Sequence, residues 1–395
     1  MDFQLTEEHK LFQEAVRGFA ERHLADGALK RAHSHEYPHD VAKLMAEQGL
    51  LGITIKEEDG GIGGTLFDAV LAIEQVSQVC PRSADVIQAG NFGAIRTFAE
   101  YATAEQKEEY LPGLLAGEKV VAVGMTEPQA GSAATDLETT ATPDGDGFRI
   151  NGQKVFIGNS EYADVVVLYV RFGPGLEGIG SVLIEDGMEG YTKGAPTPYL
   201  NGERWVAMFF DDVYVPKDRV LLGPGGFKKQ IAGFNAERIG NTSRSISLAR
   251  LAYNRAREYA LDREQFGKQI CEFQGIQWKF ADMKVKLDAG QLLLYRAASN
   301  ADRGLPDAQE TSIAKLFCNQ AGFEICNESM QVMGALGFSQ DTLVEYCLRR
   351  TRGWMIAGGS LEMMRNRIAE GVFERRFSQR PPQTSNSGRV DHGKN

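Results

Sequence analysis

Long apolar runs are missing from this sequence. None of its apolar stretches approaches the ~18 residues that a membrane-spanning helix needs. The opening MDFQLTEEHK is acidic and lacks the apolar core of a signal peptide. The five cysteines form no CxxC pair, a usage typical of reduced thiols in the cytosol. We therefore expect a cytoplasmic protein without a membrane-spanning segment.

Positive charge and histidine are also scarce. Lys and Arg number 43 against 53 Asp and Glu, a net charge of −10, so nucleic-acid binding is not expected. His33, His35 and His39 crowd into RAHSHEYPHD, but this stretch has loop composition and lacks zinc spacing, so we predict no metal site. The sequence has no Ser-His-Asp signature, P-loop or HExxH. These absences argue against a histidine-based hydrolase.

The sequence does show a change of pattern along the chain. Apolar residues recur at helical spacing in TEEHKLFQEAVRGFAERHL and again from Phe227 to Leu261. Between them, β-branched and aromatic runs are separated by turns, including Asp144–Gly145 and Asp146–Gly147. We predict an α+β multidomain chain with an N-terminal α-helical domain (1–118), a middle β-barrel or sandwich (119–224), a C-terminal four-helix-bundle-like domain (225–380) and a disordered polar tail (381–395).

Four segments have the composition of ligand-binding loops. GMTEPQAGSAATD (124–136) combines small residues with hydroxyls after a strand. KVFIGNSEYAD (154–164) is an aromatic strand end followed by Gly and Asn, which suits a flat wall for a ring system. DREQFGKQICEFQGIQWKFADM (262–283) places an Arg and a Phe just past a long helix, which suits an anionic, partly aromatic ligand. QVMGALGFSQ (331–340) leaves glycines and backbone N–H groups at a helix end. Taken singly, each also suits an ordinary turn, strand end, helix–turn–helix or helix cap.

Taken in order on an α-β-α chain, these segments resemble the acyl-CoA dehydrogenase family over residues 1 to about 378. The resemblance is carried by MTEPQAGS, FFDDVYVPKDRVLLG, REQFGKQICEFQGIQ and QVMGALGF, with MDFQLTEEHKLFQEAVRGFA and EQKEEYLPGLLAGE in the first third. It implies FAD, an acyl-CoA substrate and electron transfer to an electron-transferring flavoprotein. It also implies a homotetramer, built as a dimer of dimers, in which each FAD spans two subunits.

The same resemblance implies which residues would hold the FAD. Met125, Thr126 and Ser132 would lie near the isoalloxazine and pyrophosphate, whereas Arg263 and Phe266 would reach the FAD of the neighbouring subunit. The remaining cofactor-binding candidates are Phe156, Gly158, Gln331, Gly334, Ser360 and Glu362. The implied chemistry is α,β-desaturation of a thioester, which needs a positioned base for the α-proton and a hydride acceptor for the β-hydrogen.

The usual base of the family is absent. Most members carry it in a Tyr-Glu-Gly-Thr segment, where this sequence has Ala357 and Gly358 in place of Tyr and Glu. A minority carry it on the long C-terminal helix, where this sequence has Glu237. From spacing alone Glu237 is an ordinary solvated glutamate, but because Gly358 leaves the other position empty we predict that Glu237 is the base. Arg238 and Ala357 would contact substrate, and the Gly358 N–H would bind the thioester oxygen.

Two departures affect the predicted reaction. Gly158 stands where relatives usually have a Thr or Ser that donates to flavin N5, so it offers only a backbone N–H. Ala357 and Gly358 remove two large side chains, and the freed volume would admit a branched or ring-bearing acyl group. The leading interpretation is an acyl-CoA dehydrogenase. A flavin monooxygenase or oxidase on the same fold, and a non-catalytic CoA-binding partner subunit, remain open as alternatives.

Overall fold

Helices occupy both ends of the chain and strands occupy its middle. The computed structural model describes residues 4–301 and 305–380, and the tail predicted at 381–395 lies outside the described residues. The helices are α1 (Glu7–His23), α2 (Ala28–Ala32), α3 (His39–Glu47), α4 (Leu66–Ser77), α5 (Ala84–Asn91), α6 (Gly93–Tyr101), α7 (Ala104–Leu115), α8 (Phe227–Asp262), α9 (Gln274–Ser299), α10 (Ala308–Met333), α11 (Ala335–Phe338), α12 (Val344–Trp354) and α13 (Leu361–Val372). Within this described part, no helix combines the length and the apolar character needed to cross a membrane.

The strands are β1 (Val121–Gly124), β2 (Thr140–Asp144), β3 (Gly147–Lys154), β4 (Val165–Arg171), β5 (Ile179–Glu185), β6 (Tyr191–Lys193), β7 (Thr197–Pro198), β8 (Arg204–Trp205), β9 (Met208–Pro216), β10 (Val220–Leu222), β11 (Glu264–Gln265) and β12 (Lys268–Gln269). Eight of them form one sheet in the order β10-β5-β4-β2-β3-β9-β6, with β1 pairing parallel to β4. The predicted Asp-Gly turn joins β2 to β3, because Asp144 pairs with Gly147 and Gly145 has φ +61°.

The middle domain is rich in strands, as the pattern predicted, and its main sheet is open rather than a closed barrel. Over the described residues it is a single open sheet whose edges are the three-residue strands β6 and β10. Strand β4 is buried on both faces: Val165, Val167 and Tyr169 face the helical side, and Val166 and Leu168 face the other. Helices cover one face, and the other face is buried among apolar residues of β3, β5, β6 and β9, so the sheet folds over on itself.

Helix α8 is the element that joins the N- and C-terminal helices. It has 36 residues, or ~54 Å at 1.5 Å per residue, and it agrees with the helix predicted from Phe227 to Leu261. Its buried apolar side chains from Ala236 onward belong to one core that includes residues of α1, α4 and α5 and of α9, α10 and α12. Since α5 and α6 also pack against α8, the first half of α8 faces several elements at once.

Candidate functional site

The predicted base lies where α5, α6 and α8 meet. Glu237 is half-buried in the first half of α8. Its carboxylate accepts one hydrogen bond from Gln88 Nε2 (2.6 Å) and one from Asn241 Nδ2 (3.1 Å). A Cβ placed on Gly93, which has φ +62°, would come within 2.4 Å of Glu237 Oε2. Glycine at the start of α6 therefore lets the carboxylate approach the backbone closely.

The environment of Glu237 favours a base rather than a solvated charge. Burial raises the pKa of the Glu237 carboxyl above its usual range, and the Arg244 guanidinium opposes part of that rise. A carboxylate with a raised pKa binds a proton more strongly at neutral pH, which is the property that a general base needs.

The loop between α12 and α13 brings Gly358 to the same place. Gly358 has φ +70°, and a Cβ there would lie 3.0 Å from Asn241 Nδ2. One amide side chain thus touches both the Glu237 carboxylate and the space beside Gly358. The N–H of Gly358 has no hydrogen-bond acceptor among residues 4–301 and 305–380. The position left without a carboxylate therefore still presents a backbone donor next to Glu237.

Buried cations hold this loop by its carbonyl groups. Lys315, on α10, is fully buried, and its Nζ donates to the carbonyls of Trp354 (2.9 Å) and Ala357 (2.8 Å). Arg238 Nε donates to the carbonyl of Gly358 (3.1 Å). Burial lowers the pKa of Lys315 to about 7, and the positive charge of Arg238 adds to that shift. These bonds fix the loop at three carbonyl groups, next to the Gly358 N–H.

The volume predicted at Ala357 and Gly358 is only partly present. A side chain at position 358 would extend toward the Asn241 amide and Lys315. The Cε of Lys315 lies 3.9 Å from the point where a Cβ of residue 358 would be. Ala357, by contrast, is exposed. Any extra room for a branched or ring-bearing acyl group therefore lies at Ala357.

The first two segments predicted to hold the flavin are adjacent. Val155 N donates to the carbonyl of Thr126 (2.9 Å), and Lys154 Nζ donates to the carbonyl of Met125 (3.2 Å). Lys154 also forms a buried ion pair with Glu127 (2.6 Å), which fixes the loop after β1. Met125 and Thr126 are half-buried, whereas Ser132 is exposed further along the same loop.

Aromatic and glycine residues beside this loop offer a flat, open surface. Phe156 has φ +56°, is 57% exposed, and its ring lies 4.5 Å from that of Trp205. A non-glycine residue with positive φ is an unfavourable conformation that is concentrated at functional sites. Gly158 is exposed, and a Cβ added to it would meet nothing within 4 Å. These residues suit one face of a planar ring system such as a flavin.

The other two flavin segments lie apart from the first two. Arg263 and Phe266 sit at the hairpin of β11 and β12, and Phe266 is 95% exposed. Gln331 and Gly334, at the end of α10, are also exposed, and Gly334 has φ +59°. In the described part of the chain, no hydrogen bond or ion pair connects these residues with Met125, Thr126, Phe156 or Gly158.

Ser360 and Glu362 mark the start of the last helix. Ser360 is the N-cap of α13 and is half-buried, and Glu362 is exposed in the first turn. Ser360 lies two residues after Gly358, so the loop that carries the free N–H leads directly into the helix that begins with these two polar residues. Elsewhere in residues 4–301 and 305–380, no group of three or more His, Cys, Asp or Glu side chains could hold a metal ion.

Sequence reasoning missed three residues of this site: Gln88, Asn241 and Lys315. Asn241 lies four residues after Glu237 on α8, so helical spacing alone could have placed it on the same face. Gln88 comes from α5 and Lys315 from α10, and nothing in their local sequence indicates a partner so distant along the chain.

Three family models match the helical, strand-rich and helical parts of the chain in order. The N-terminal domain of acyl-CoA dehydrogenases matches residues 6–118, the middle domain matches 122–213, and the C-terminal domain matches 224–373. The chain belongs to the acyl-CoA dehydrogenase family.

Relatives with different names match nearly the whole chain. A 3-sulfinopropanoyl-CoA desulfinase from Paraburkholderia xenovorans is 33% identical over 96% of this chain and 99% of its own length. A short-chain-specific acyl-CoA dehydrogenase from Clostridium acetobutylicum is 32% identical over 94% of this chain and 100% of its own. These two relatives share the family with this chain, but their names describe different reactions and different acyl groups.

Solved structures share the fold closely. A glutaryl-coenzyme A dehydrogenase in complex with glutaryl-CoA has a TM-score of 0.90, 28% identity and coverage of 96% of this chain and 98% of that one. The FAD complex of PigA has a TM-score of 0.89 at 25% identity, covering 94% and 99%. A chain from work on the electron transferring flavoprotein of Acidaminococcus fermentans has 0.89 at 31%, covering 94% and 99%. These neighbours support flavin binding.

Proposed function

We propose that this protein is an FAD-dependent acyl-CoA dehydrogenase that forms an α,β double bond in an acyl-CoA thioester, with Glu237 as its base. The observation that carries the proposal is the juxtaposition of the Glu237 carboxylate with the free N–H of Gly358, both beside the Asn241 amide. A base and an oxyanion donor at one point are what removal of a thioester α-proton requires.

In this proposal, each residue of the site has a defined task. Glu237 accepts the α-proton, and burial raises its pKa toward that role. The Gly358 N–H donates to the thioester oxygen and stabilises negative charge that develops there. Lys315 and Arg238 orient the loop by binding the carbonyls of Ala357 and Gly358. FAD, when bound, supplies the hydride acceptor.

The remaining predictions enter as parts of the same proposal. Met125, Thr126, Ser132, Phe156, Gly158, Ser360 and Glu362 would hold FAD within one subunit, and Arg263, Phe266, Gln331 and Gly334 would hold the FAD of its neighbour in a homotetramer. An electron-transferring flavoprotein would reoxidise the cofactor. We place the domain boundaries near residues 118 and 224. Ala357 and Arg238 would lie beside a branched or ring-bearing acyl group.

The test is anaerobic reduction of the bound flavin by a panel of acyl-CoA thioesters. We expect yellow protein with FAD near one per chain and bleaching by at least one thioester. Protein that binds no FAD, or holds FAD that no acyl-CoA reduces, would remove the proposal.

A second candidate is an oxidase or monooxygenase on the same fold. The observation that favours it is Gly158, which has no hydroxyl and has open space where a side chain would extend. Oxygen consumption that exceeds turnover with an artificial electron acceptor would support it, and oxygen-insensitive turnover would exclude it.

A further inference from the structure

A chain of hydrogen bonds runs along α8 to the proposed base. Arg244 Nη2 donates to Asn241 Oδ1 (2.7 Å), and Asn241 Nδ2 donates to Glu237 Oε1 (3.1 Å). The three residues are four and three positions apart, so they lie on one side of the helix. Arg244 and Asn241 are only 6% and 2% exposed. Because burial strengthens hydrogen bonds of this kind, the chain couples Arg244 to the base.

Arg244 determines which end of the Asn241 amide faces the base. A guanidinium only donates hydrogen bonds, so it can bind only the carbonyl oxygen of the amide. That contact directs the NH2 group of Asn241 toward Glu237. A reversed amide would place its NH2 group against the guanidinium and its oxygen against the carboxylate, and both bonds would be lost. The Asn241 side chain is therefore a fixed donor to Glu237.

Arg244 is itself held by two further contacts. Its Nη1 donates to Asp85 Oδ1 on α5 (2.7 Å), and its guanidinium lies 4.7 Å from the ring centroid of Trp354 on α12. Although burial raises it, the charges of Arg350, Arg244 and Arg82 hold the pKa of Asp85 at about 2, so this partner is ionised at neutral pH. Arg244 therefore has a fixed position from which it orients the amide.

The second donor to the base lacks such a partner. Gln88 Nε2 donates to Glu237 Oε2 (2.6 Å). Gln88 Oε1 is buried and makes no hydrogen bond with any residue in 4–301 or 305–380. The direction of the Gln88 amide is therefore not set by a group on its far side. Of the two amides on the carboxylate, Asn241 is the one whose orientation is enforced.

The groups around Glu237 show what a fixed donor does to it. Burial raises the pKa of the Glu237 carboxyl. The charge of Arg244, the hydrogen bond from Gln88, the charge of Lys315 on α10 and the hydrogen bond from Asn241 oppose that rise. A hydrogen bond donated to a carboxylate favours its ionised form. A donor that cannot turn away therefore keeps the buried base ready to accept a proton.

We propose that Asn241 is a positioning residue for the base, and that Arg244 fixes its amide as a donor to Glu237 Oε1. The proposal rests on the function proposed above, because it concerns how the base of that reaction is held. Asn241 acts through Glu237: its bond keeps one carboxylate oxygen in a fixed direction and favours the ionised form. Precise placement of a reacting group is itself a large part of catalysis.

The test follows reduction of the flavin by butyryl-CoA in the FAD-loaded protein over a range of pH. If another thioester of the panel reduces the wild-type flavin faster, it replaces butyryl-CoA. Asn241→Leu keeps the size of the side chain and removes the donor, so the acid limb of the rate profile should move to higher pH. On that limb we expect reduction to be roughly 10- to 100-fold slower than in wild type, as for loss of a hydrogen bond to a charged group. The difference should shrink as the pH rises.

Two matched variants support this comparison. Asn241→Asp keeps the shape and the acceptor for Arg244 but has no donor for Glu237, so its acid limb should move in the same direction. It also serves if Asn241→Leu fails to fold. Asn254→Leu, at an exposed asparagine on the same helix, should leave the profile unchanged.

Variants of Arg244 test whether it fixes the amide. Arg244→Met leaves Asn241 free to turn, so the acid limb should again move to higher pH. Arg244→Lys keeps a charged donor, and its profile should lie between those of Arg244→Met and wild type. In the double variant Asn241→Leu with Arg244→Met, the loss of rate should be smaller than the product of the two single losses, because both act through one amide.

The outcomes separate this proposal from the one above. If no thioester reduces the wild-type flavin, the function proposed above is wrong. If wild-type flavin is reduced but the Asn241 variants lose rate by the same factor at every pH, or lose none, dehydrogenation stands and Asn241 does not position the base. If Arg244→Lys is as slow as Arg244→Met, or the losses in the double variant multiply, Arg244 does not fix the amide.

Discussion

Glu237 combines burial with neutral hydrogen-bond donors, and this combination sets its properties. Its two side-chain partners, Gln88 and Asn241, are amides. Amides orient a carboxylate without neutralising it, and burial raises its pKa. A salt bridge in the same place would stabilise the ionised form and weaken the base. The two amides thus hold Glu237 in position, and although they and the nearby charge of Arg244 lower its pKa, burial leaves that pKa raised.

Replacing Glu237 with Gln tests this role directly. Gln keeps the size and can still accept from Asn241, but it cannot take a proton. We expect FAD content to be unchanged and flavin reduction by acyl-CoA to be slower by about 10²- to 10⁴-fold, as followed by stopped-flow absorbance. Glu258→Gln, at an exposed position further along α8, is the matched control. Equal reduction rates in Glu237→Gln and wild type would remove Glu237 from the chemistry.

Gly158 is a second position at which a single substitution tests the proposed site. Its side is open, and its backbone does not have positive φ, so threonine fits without strain. If Gly158 lies beside the reactive edge of the flavin, Gly158→Thr will keep FAD bound and will change the rate of flavin reduction and the flavin potential. Gly223→Thr, at another open position, controls for the added side chain. A Gly158→Thr protein with unaltered rate and potential would place this residue away from the reacting atoms.

Between helices, a buried carboxyl makes stability depend on pH. Glu74 of α4 accepts a hydrogen bond from the hydroxyl of Tyr295 on α9 (2.7 Å), and burial raises its pKa to about 7. A carboxyl whose pKa is higher in the folded state contributes its full stability below about pH 4.5 and loses it as pH rises through about 7. The contact between α4 and α9 should therefore weaken at alkaline pH.

Glu74→Gln keeps the acceptor for Tyr295 and removes the charge. Relative to wild type, we expect this variant to gain up to about 3 kcal/mol in free energy of unfolding between pH 4.5 and 8. Urea denaturation at several pH values measures the difference, with the exposed Glu8→Gln as control. A difference that does not change with pH would show that the pKa of Glu74 is the same in the folded and unfolded protein.

Elements whose contacts are local were predictable from the sequence. The bounds of α8 agree to one residue at its C-terminal end, and the turn of the β2–β3 hairpin follows from Asp-Gly. Closure of the middle sheet was not predictable, because it depends on which strands become edges. In the site, the family resemblance indicated Glu237 and Gly358, but Lys315 and Gln88 reach them from helices far away in sequence, and no local pattern encodes such contacts.

For the whole molecule, the exposed hairpin after α8 bears on assembly. Phe266 is almost fully exposed and Arg263 lies beside it on the surface. If both serve the FAD of a neighbouring subunit, Arg263→Ala will weaken flavin retention and subunit association together. Flavin content and sedimentation should fall in parallel, whereas Arg257→Ala, at an exposed arginine one and a half turns earlier, should change neither. A dissociated Arg263→Ala monomer with full flavin would contradict the shared site.

Helix α8 carries Glu237 near its start and ends at Asp262, immediately before Arg263, so the two residues are roughly 40 Å apart at 1.5 Å per residue. If each chain contributes Glu237 to one active site and Arg263 to another, two inactive variants will restore activity when they are combined in one oligomer. A hybrid dimer of Glu237→Gln and Arg263→Ala chains would hold one doubly damaged site and one intact site. Co-expression should then restore activity that neither homo-oligomer has, and lack of restored activity in verified hybrids would show that base and arginine serve the same site.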